Sequence, residues 1–403
     1  MKLNRLLIAI LLLTTACNLP LGASPVPTEA VPAQATEAPV RATDVPSFGV
    51  PQVEQPTPVP QPINASVVAD PQFTSLHMLT ELDGWALTDS AILRTNDGGD
   101  TWYDVTPPGA STLGYGVSAD FFDASRAFFV APDSADPMHA GMLYRTADGG
   151  LNWSMSAVPF GSSILDFLDT SNGWAMAGLG VGAGSHAIAI FQTVDGGATW
   201  TQVFVNDPNN PSASTDIPLG GLKGVLYARD MQTAWVGGIV YSNSTLYLYR
   251  TDDGGHTWVQ VQAELPSEAQ QAQVNVEEIQ FLTPADGFLT LSFTSEAGLT
   301  RALYVTHDSG NTWTLTPTLI PNGRSVDFVS PTDGLMFDGQ QFYVTRDAGS
   351  TWGIVKPDVV FADSFMNMDF VNLNTGWLLA SDPTTFKANL YKTTDGGATW
   401  TPQ

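Results

Sequence analysis

The sequence predicts an all-β fold of repeated antiparallel sheets, and two recurring patterns carry that prediction. An eight-residue phrase, T-x-D-x-G-x-[TN]-W, occurs seven times in the 403-residue chain. A second pattern, of which Asp83-Gly84-Trp85 is an example, precedes each copy. The seven phrases are residues 95–102, 146–153, 193–200, 251–258, 306–313, 345–352 and 393–400. Their tryptophans lie 39 to 58 residues apart, a period typical of solenoid and propeller repeats.

Each repeat, called a unit and numbered 1 to 7 along the chain, predicts four strands. The glycines of the phrase tolerate positive φ and favour a hairpin turn, with the third strand before it and the fourth starting at its Trp. The first strand is expected to end near an apolar residue such as Phe167, and the second to begin at the pair typified by Gly173-Trp174. Seven such units predict a seven-bladed β-propeller. Because the chain ends at Gln403, residues 63–69 are expected to supply the last outer strand and to close the ring.

The aspartate of each phrase is predicted to be structural. A carboxylate in a turn accepts hydrogen bonds from the N–H groups of its own loop, while the Trp that follows buries its ring. The seven phrase aspartates are Asp97, Asp148, Asp195, Asp253, Asp308, Asp347 and Asp395.

The N-terminus has the pattern of a signal peptide, in which Lys2 and Arg5 precede an apolar run too short to span a membrane. The site around Cys17 resembles a bacterial lipoprotein signal, so residues 1–16 are expected to be removed and Cys17 to carry lipid. An ordinary secretory signal cut near Ala23 is the alternative. Residues 17–62 are rich in Pro, Ala and Thr and predict a disordered tether, followed by a folded part, residues 63–403.

Composition excludes several classes of partner. The chain has a formal charge of -25, and because residues 1–62 hold three basic and four acidic residues, the folded part keeps -24. Nucleic acid and anionic lipid surfaces are therefore poor partners. Cys17 is the single cysteine of the chain, which excludes an intramolecular disulfide. The five histidines show no metal-ligand spacing, and we expect neither a metal nor a cofactor.

The phrase resembles the Asp-box, or BNR repeat, of sialidases, xyloglucan-active glycoside hydrolases, sortilin-type receptors and photosystem II stability and assembly factors. Its pairing with an upstream D-G-W pattern is most similar to the last group. The resemblance covers residues 73–400 and implies a propeller whose Asp-boxes lie opposite its ligand face. It does not carry a function, because sites are grafted onto folds.

Enzymatic activity is the alternative function that the sequence leaves open. A sialidase needs a cluster of arginines on inner strands. In this sequence Arg324 is the one arginine expected at the start of an inner strand, and Arg301 is a weaker second candidate, so the cluster cannot be assembled. Two-carboxylate glycoside hydrolysis needs acidic residues around a channel. The candidates are Asp120, Asp166, Asp327 and Asp369, which each precede the Phe that ends a first strand. They are expected to form a ring that either caps backbone N–H groups of neighbouring units or holds a cation or a basic peptide.

Functional residues of propellers concentrate in their longer connections. Units 2, 3 and 5 have the longest stretches between the second pattern and the phrase, and the connection from unit 3 to unit 4 is the longest between units. Asp207, Asn209, Asp216 and Tyr241 are therefore the candidate ligand contacts. We expect a monomeric, lipid-anchored protein on the outer face of a bacterial membrane or cell surface, which binds a protein or peptide, assists assembly of a membrane complex and is not an enzyme. A carbohydrate-active hydrolase using the ring carboxylates is the alternative.

Overall fold

The computed structural model describes residues 63–110, 113 and 117–403. The predicted signal peptide, Cys17 and the tether to Pro62 lie outside these residues. Almost all regular structure in the described part is β-strand, with two short 3-10 helices at Ser267–Ala269 and Ala362–Ser364. None of the helices within these limits is long and apolar enough to cross a membrane.

The strands follow the predicted four-strand repeat, after one additional strand at the start. In chain order they are β1 (Ser66–Val67), β2 (Phe73–Met78), β3 (Gly84–Thr88), β4 (Ile92–Thr95), β5 (Tyr103–Asp104), β6 (Ser118–Asp120), β7 (Ala127–Pro132), β8 (Gly141–Thr146), β9 (Ser154–Val158), β10 (Ser163–Phe167), β11 (Gly173–Gly182), β12 (Ser185–Thr193), β13 (Thr201–Val205), β14 (Leu222–Ala228), β15 (Ala234–Asn243), β16 (Tyr247–Thr251), β17 (Val259–Gln260), β18 (Gln273–Phe281), β19 (Gly287–Ser295), β20 (Gly298–Thr306), β21 (Thr314–Pro321), β22 (Ser325–Phe328), β23 (Gly334–Phe337), β24 (Phe342–Thr345), β25 (Gly353–Val355), β26 (Phe365–Phe370), β27 (Gly376–Ser381), β28 (Ala388–Thr393) and β29 (Thr401–Pro402).

Strand boundaries coincide with the sequence patterns. Every third strand ends at the Thr that opens a phrase, and every second strand begins directly before the aromatic or leucine position of the upstream pattern. Fourth strands begin one residue after the phrase Trp, not at the Trp itself. The turn and the Trp therefore fix where each hairpin folds back.

All strand pairs of the described residues are antiparallel, and all but two of them, β1 with β5 and β15 with β18, join consecutive strands. Units 2, 3, 6 and 7 each form a four-stranded sheet, and unit 1 forms a five-stranded sheet that includes β1. Units 4 and 5 merge into an eight-stranded sheet, because β15 also pairs with β18 through Ile239 with Asn275 and Asn243 with Gln273.

The predicted closure by residues 63–69 is wrong. Strand β1 pairs with β5 of unit 1, aligning Ser66 with Asp104 and Val67 with Tyr103, while unit 7 has its own outer strand, β29, paired with β28. The segment covers the edge of unit 1 because β5 would otherwise present unpaired N–H and C=O groups. Ile63 confirms this placement, since it is buried in the cluster of units 1 and 2.

Units 7 and 1 contact each other through side chains and inner strands. The Trp377 indole N–H donates to the Gly98 carbonyl over 2.8 Å, and Glu81 accepts hydrogen bonds from Asn372 and Thr375. First strands contact one another from β6 through β10 and β14 to β18, and from β22 through β26 to β2. The first strands of units 1 and 2, and of units 5 and 6, contact each other less.

The Asp-box turns have one repeated geometry. In unit 3, the Thr193 hydroxyl donates to Asp195 over 2.9 Å and accepts the N–H of Gly197 over 2.8 Å, while the N–H and hydroxyl of Thr199 donate to Asp195. These bonds, those from Thr199 foremost, lower the pKa of Asp195 to about 2. The other six boxes contain the same bonds from their Thr and Gly.

Candidate functional site

The two edges of the sheets differ in regularity. The lower edge carries the Asp-box turns, and the upper edge carries the turns between second and third strands and the connections between units. Second strands β11 and β15 have 10 residues each and β19 has 9, whereas β3, β7, β23 and β27 have 4 to 6. Because all start at the lower edge, the hairpins of units 3, 4 and 5, here called the tall hairpins, rise about 10–20 Å higher.

The tall hairpins expose apolar side chains. Tyr241 on β15 is 59% exposed and Val181 on β11 is 67% exposed. Gly184, at the turn after β11, lies against the Tyr241 ring, where a Cβ would approach the ring to 3.2 Å. The hairpins of units 3 and 4 therefore meet at an exposed aromatic side chain.

The structure does not bring the four predicted ligand-face residues together. Asp207 accepts hydrogen bonds from the backbone and side chain of Asn209 within one turn. Asp216 accepts the N–H of Trp258, at the lower end of unit 4. Tyr241 is thus the one of the four that belongs to a tall hairpin.

Near the lower end of each first strand, one residue per unit occupies an equivalent position, and these seven form the inner ring. They are His77, Asp120, Asp166, Tyr227, Gln280, Asp327 and Asp369. Every first strand therefore contributes one polar side chain to the ring.

Each of the four ring aspartates accepts a backbone N–H from the next unit. Asp120 accepts from Phe167 over 2.6 Å, and Asp166 from Ala228 over 2.6 Å. Asp327 accepts from Phe370 over 2.6 Å, and Asp369 from Met78 over 2.8 Å, across the junction between the last and first units. These are the bonds that the capping interpretation requires.

The other three ring residues connect their units differently. His77 lies 3.3 Å from Asp369 and stacks on Phe121, with ring centroids 6.4 Å apart. Tyr227 stacks on Phe281 of unit 5. Gln280 donates to the Phe328 carbonyl of unit 6 over 3.2 Å.

Enclosure by protein raises the pKa of several carboxyl groups at the ring. Burial raises the pKa of Asp120 to about 6 and of Asp166 to about 7. Burial and then the charge of Asp369 raise the pKa of Asp327 to about 8. An open depression of about 530 Å³ is lined by His77, Asp120 and Asp166 among others, so two of the four ring carboxyl groups border a space that is open to solvent.

The sequence analysis did not predict a polar cluster in unit 5, which consists of Glu277, Glu278 and Arg301. The Glu277 carboxylate accepts hydrogen bonds from Ser292 and Asn275 and lies 3.7 Å from the Arg301 guanidinium. The Glu278 side chain has surface accessible to solvent, although many protein atoms surround it. Desolvation by these atoms raises the pKa of Glu278 to about 7, and the positive charge of Arg301 acts in the opposite direction. The signal available in the sequence was Arg301 itself, since the residues that likewise lie five positions before the phrase Thr in the other units are uncharged: Ser90, Gly141, Ile188, Leu246, Gln340 and Ala388.

Metal-ligating groups do not converge in the described residues, where no cluster of three His, Cys, Asp or Glu side chains could hold an ion. Asp136 and His139 contact each other over 2.9 Å in an exposed loop of unit 2.

Comparison with known proteins gives similarities to propellers of different functions. No protein-family model matches the chain. A xyloglucanase from Paenibacillus sp. is 29% identical over 159 residues, which is 33% of this chain and 15% of that protein. The GH74 xyloglucanase structure from Xanthomonas campestris has a TM-score of 0.54 at 14% identity, covering 83% of this chain and 55% of that one. YCF48 bound to D1 peptide has a TM-score of 0.49 at 17% identity, covering 82% and 96%. The similarity at a TM-score of 0.54, together with the repeated four-stranded antiparallel sheets, identifies the fold of the described part of the chain as a β-propeller.

Proposed function

We propose that residues 63–403 form a seven-bladed propeller that binds a segment of another protein on its upper edge and catalyses no reaction. Each unit is one blade in this proposal, with the eight-stranded sheet counted as two. The observation that carries it is the asymmetry of the upper edge. Two of the three tall hairpins expose Val181 and Tyr241 there, whereas the lower edge consists of repeated turns whose polar groups bond to one another.

The bonding of the ring aspartates supports binding over catalysis. All four accept a backbone N–H of the neighbouring unit, so each has a structural partner that fixes its position. Exposed aromatic side chains, which sugar-binding sites use as stacking platforms, are scarce: every Trp of the described chain is buried or half-buried. Among the described residues, the strongly exposed aromatic side chains are Tyr241 and Phe386, the latter in the connection between β27 and β28, and both are candidate aromatic contacts for a partner.

Net charge limits the partner further. The folded part carries -24, so at long range it attracts basic and neutral segments and repels acidic ones. We further propose that Cys17 is lipidated, that residues 17–62 tether a monomeric propeller to the outer surface of a bacterial membrane, and that the partner is a component of a membrane complex.

Selection from a library of random displayed peptides on the intact propeller tests the binding function. We expect enriched peptides whose affinity falls about tenfold in Tyr241→Ala, because an aromatic anchor contributes one to a few kcal/mol at an interface. Met155→Ala is the matched control, since Met155 is also 59% exposed but lies on outer strand β9. Failure to enrich any peptide, or equal loss in both variants, would contradict the proposal.

Glycoside hydrolysis is the second candidate, and the raised pKa values of Glu278 and Asp327 favour it, because a general acid must be protonated near neutral pH. A screen of polysaccharides with wild type and Asp327→Asn decides between the two. Hydrolysis that disappears in the variant would replace the binding proposal with an enzymatic one.

A further inference from the structure

The tall hairpin of unit 3 contains strand residues that have a neighbouring strand on one side only. Strand β11 pairs with β12 to its last residue, but with β10 only as far as Ala177. One further bond, from the Gly178 N–H to the Ser162 carbonyl over 3.1 Å, ends the contact with the first-strand side. Within the described residues, β11 has no other partner strand. Residues 179–182 are called the open edge.

The main-chain groups of Val181 point away from the hairpin, towards this unpaired side. Residues 183–184 form a two-residue turn with positive φ, and the residues that flank such a turn bond to each other. Bonded and non-bonded pairs alternate in antiparallel strands, so the next pair, Val181 with His186, is non-bonded. The His186 N–H agrees with this, because it points away from β11 and donates to the Leu219 carbonyl over 3.0 Å. The N–H and C=O of Val181 therefore face the open edge.

Glycines leave one face of the open edge bare. Gly180 and Gly182 flank Val181, which is 67% exposed, so they lie on the face opposite to its side chain. A Cβ added to either glycine would have no heavy atom within 4 Å. Glycine within a strand often marks a place where another backbone comes close. The open edge thus combines outward-facing main-chain groups with free space beside them.

Two neighbouring edges show what fits such a position, because an extended segment fills each of them. On the other side of the same hairpin, Gly221 forms a bridge with Ser185 and donates to the Gly184 carbonyl over 2.8 Å. In unit 4, the first strand β14 reaches only Ile239 of β15, and the residues of β15 above it pair with β18, at Asn243 with Gln273. The described residues supply no corresponding strand to the open edge of β11.

We propose that the open edge of β11 binds an extended segment of the partner as an added strand, whose main chain bonds to Val181. The inference rests on the proposed binding function and names the mode of recognition. The N–H and C=O of a strand edge are matched by another extended main chain, which brings an acceptor and a donor at the same spacing. A large apolar or aromatic side chain of the segment has room to cover Gly180 and Gly182, as aromatic residues do for glycines at sheet edges.

The first test compares two substitutions of Val181, using one peptide enriched by selection on the intact protein and fluorescence anisotropy to measure its affinity. Val181→Pro removes the main-chain N–H that faces the open edge, and proline is tolerated where that N–H points away from the sheet. We expect affinity to fall about tenfold. Val181→Ala keeps the N–H and shortens the same side chain, so we expect a smaller fall of about threefold. Circular dichroism melting verifies that both variants are folded.

The second test fills the bare face instead of changing the main chain. Gly182→Val adds a side chain where the protein itself has free space, so the fold should be unaffected. We expect it to weaken binding about tenfold, because it occupies the room for the large side chain of the segment.

Backbone N-methylation of the peptide, one residue at a time, tests the pairing without any protein variant. Strand pairing predicts that methylation weakens binding at one residue, or at two residues separated by one, because the N–H groups between them point away from β11. If Val181→Pro does not fold, this scan alone decides. Loss at adjacent residues, or at none, would overturn the inference.

Equal losses in Val181→Pro and Val181→Ala would show a side-chain contact without strand pairing and would also overturn it. Unchanged affinity in Val181→Pro and Gly182→Val, with loss in Tyr241→Ala, would overturn the inference and leave the binding function intact. If no peptide is enriched, both fall.

Discussion

The junction between units 4 and 5 lies within one sheet, whereas the junction between units 5 and 6 lies between two separate sheets. At the first, β15 pairs with β18, and the largest apolar cluster surrounds Trp235. At the second, the cluster has three fully buried members, Phe288, Leu303 and Phe328. Buried side-chain polar atoms without partners occur in several units of the described structure, and unit 5 has three of them: Arg301 Nε, Trp313 Nε1 and Thr316 Oγ1. The comparison teaches that the repeats supply a common framework, while residues outside them make one junction more extensively packed than the other.

The largest effect should distinguish two leucines on neighbouring strands of unit 5. Leu291 packs in the cluster shared with unit 4 and Leu303 in the cluster shared with unit 6, and both are at most 1% exposed. We expect Leu291→Ala to cost about 3–5 kcal/mol and Leu303→Ala about 2–3 kcal/mol, because a smaller cluster leaves neighbours freer to fill the cavity. Urea unfolding measures both. Equal costs would show that the two junctions are packed equally well.

A smaller difference is expected at the inner ring. Asp369→Ala leaves the buried Met78 N–H without its acceptor, which should cost about 1–3 kcal/mol. Gln280→Ala, at the junction of units 5 and 6, removes one ordinary hydrogen bond and should cost about 0.5–1.5 kcal/mol. Asp369→Asn is the control for Asp369→Ala, since its amide oxygen can still accept the bond. Greater destabilisation by Gln280→Ala would reverse the proposed order of the junctions.

The pH dependence of stability should differ between Asp327 and Asp166. A carboxyl group whose pKa is raised on folding stabilises fully below its unfolded pKa near 4, and this contribution is lost as pH rises through the folded pKa. The loss should extend to about pH 8 for Asp327 and to about pH 7 for Asp166. Melting temperature measured across this range should therefore fall with pH. In Asp327→Asn the melting temperature should fall less steeply up to about pH 8, and in Asp166→Asn it should fall less steeply up to about pH 7. Identical melting curves for wild type and both variants would contradict the raised pKa values of these two carboxyl groups.

Local patterns in the sequence were sufficient for the framework. The Asp-box turn needs Thr193, Asp195 and Gly197 within five residues, so its bonds are visible in the phrase. The position of Asp120 before Phe121 repeats in three other units, which predicted a ring and its capping bonds. Repetition therefore gave both the strand boundaries and the inner polar residues.

Long-range features could not be obtained in this way. The placement of Ser66 beside Asp104 depends on which edge is nearest in space. Longer connections between second and third strands had been predicted in units 2, 3 and 5, whereas the long second strands are those of units 3, 4 and 5. Arg301 was noted as an arginine, but its burial and unpaired Nε follow from the course of the chain at Gly323. Such properties arise where non-repeated segments meet, and no single repeat encodes them.

Hydrogen exchange with and without an enriched peptide tests the central claim, that a partner binds the upper edge at the tall hairpins. The account predicts slower exchange in the upper half of β11, with no change in the Asp-box turns. Protection confined to the Asp-box turns, or to the outer strands, would contradict it.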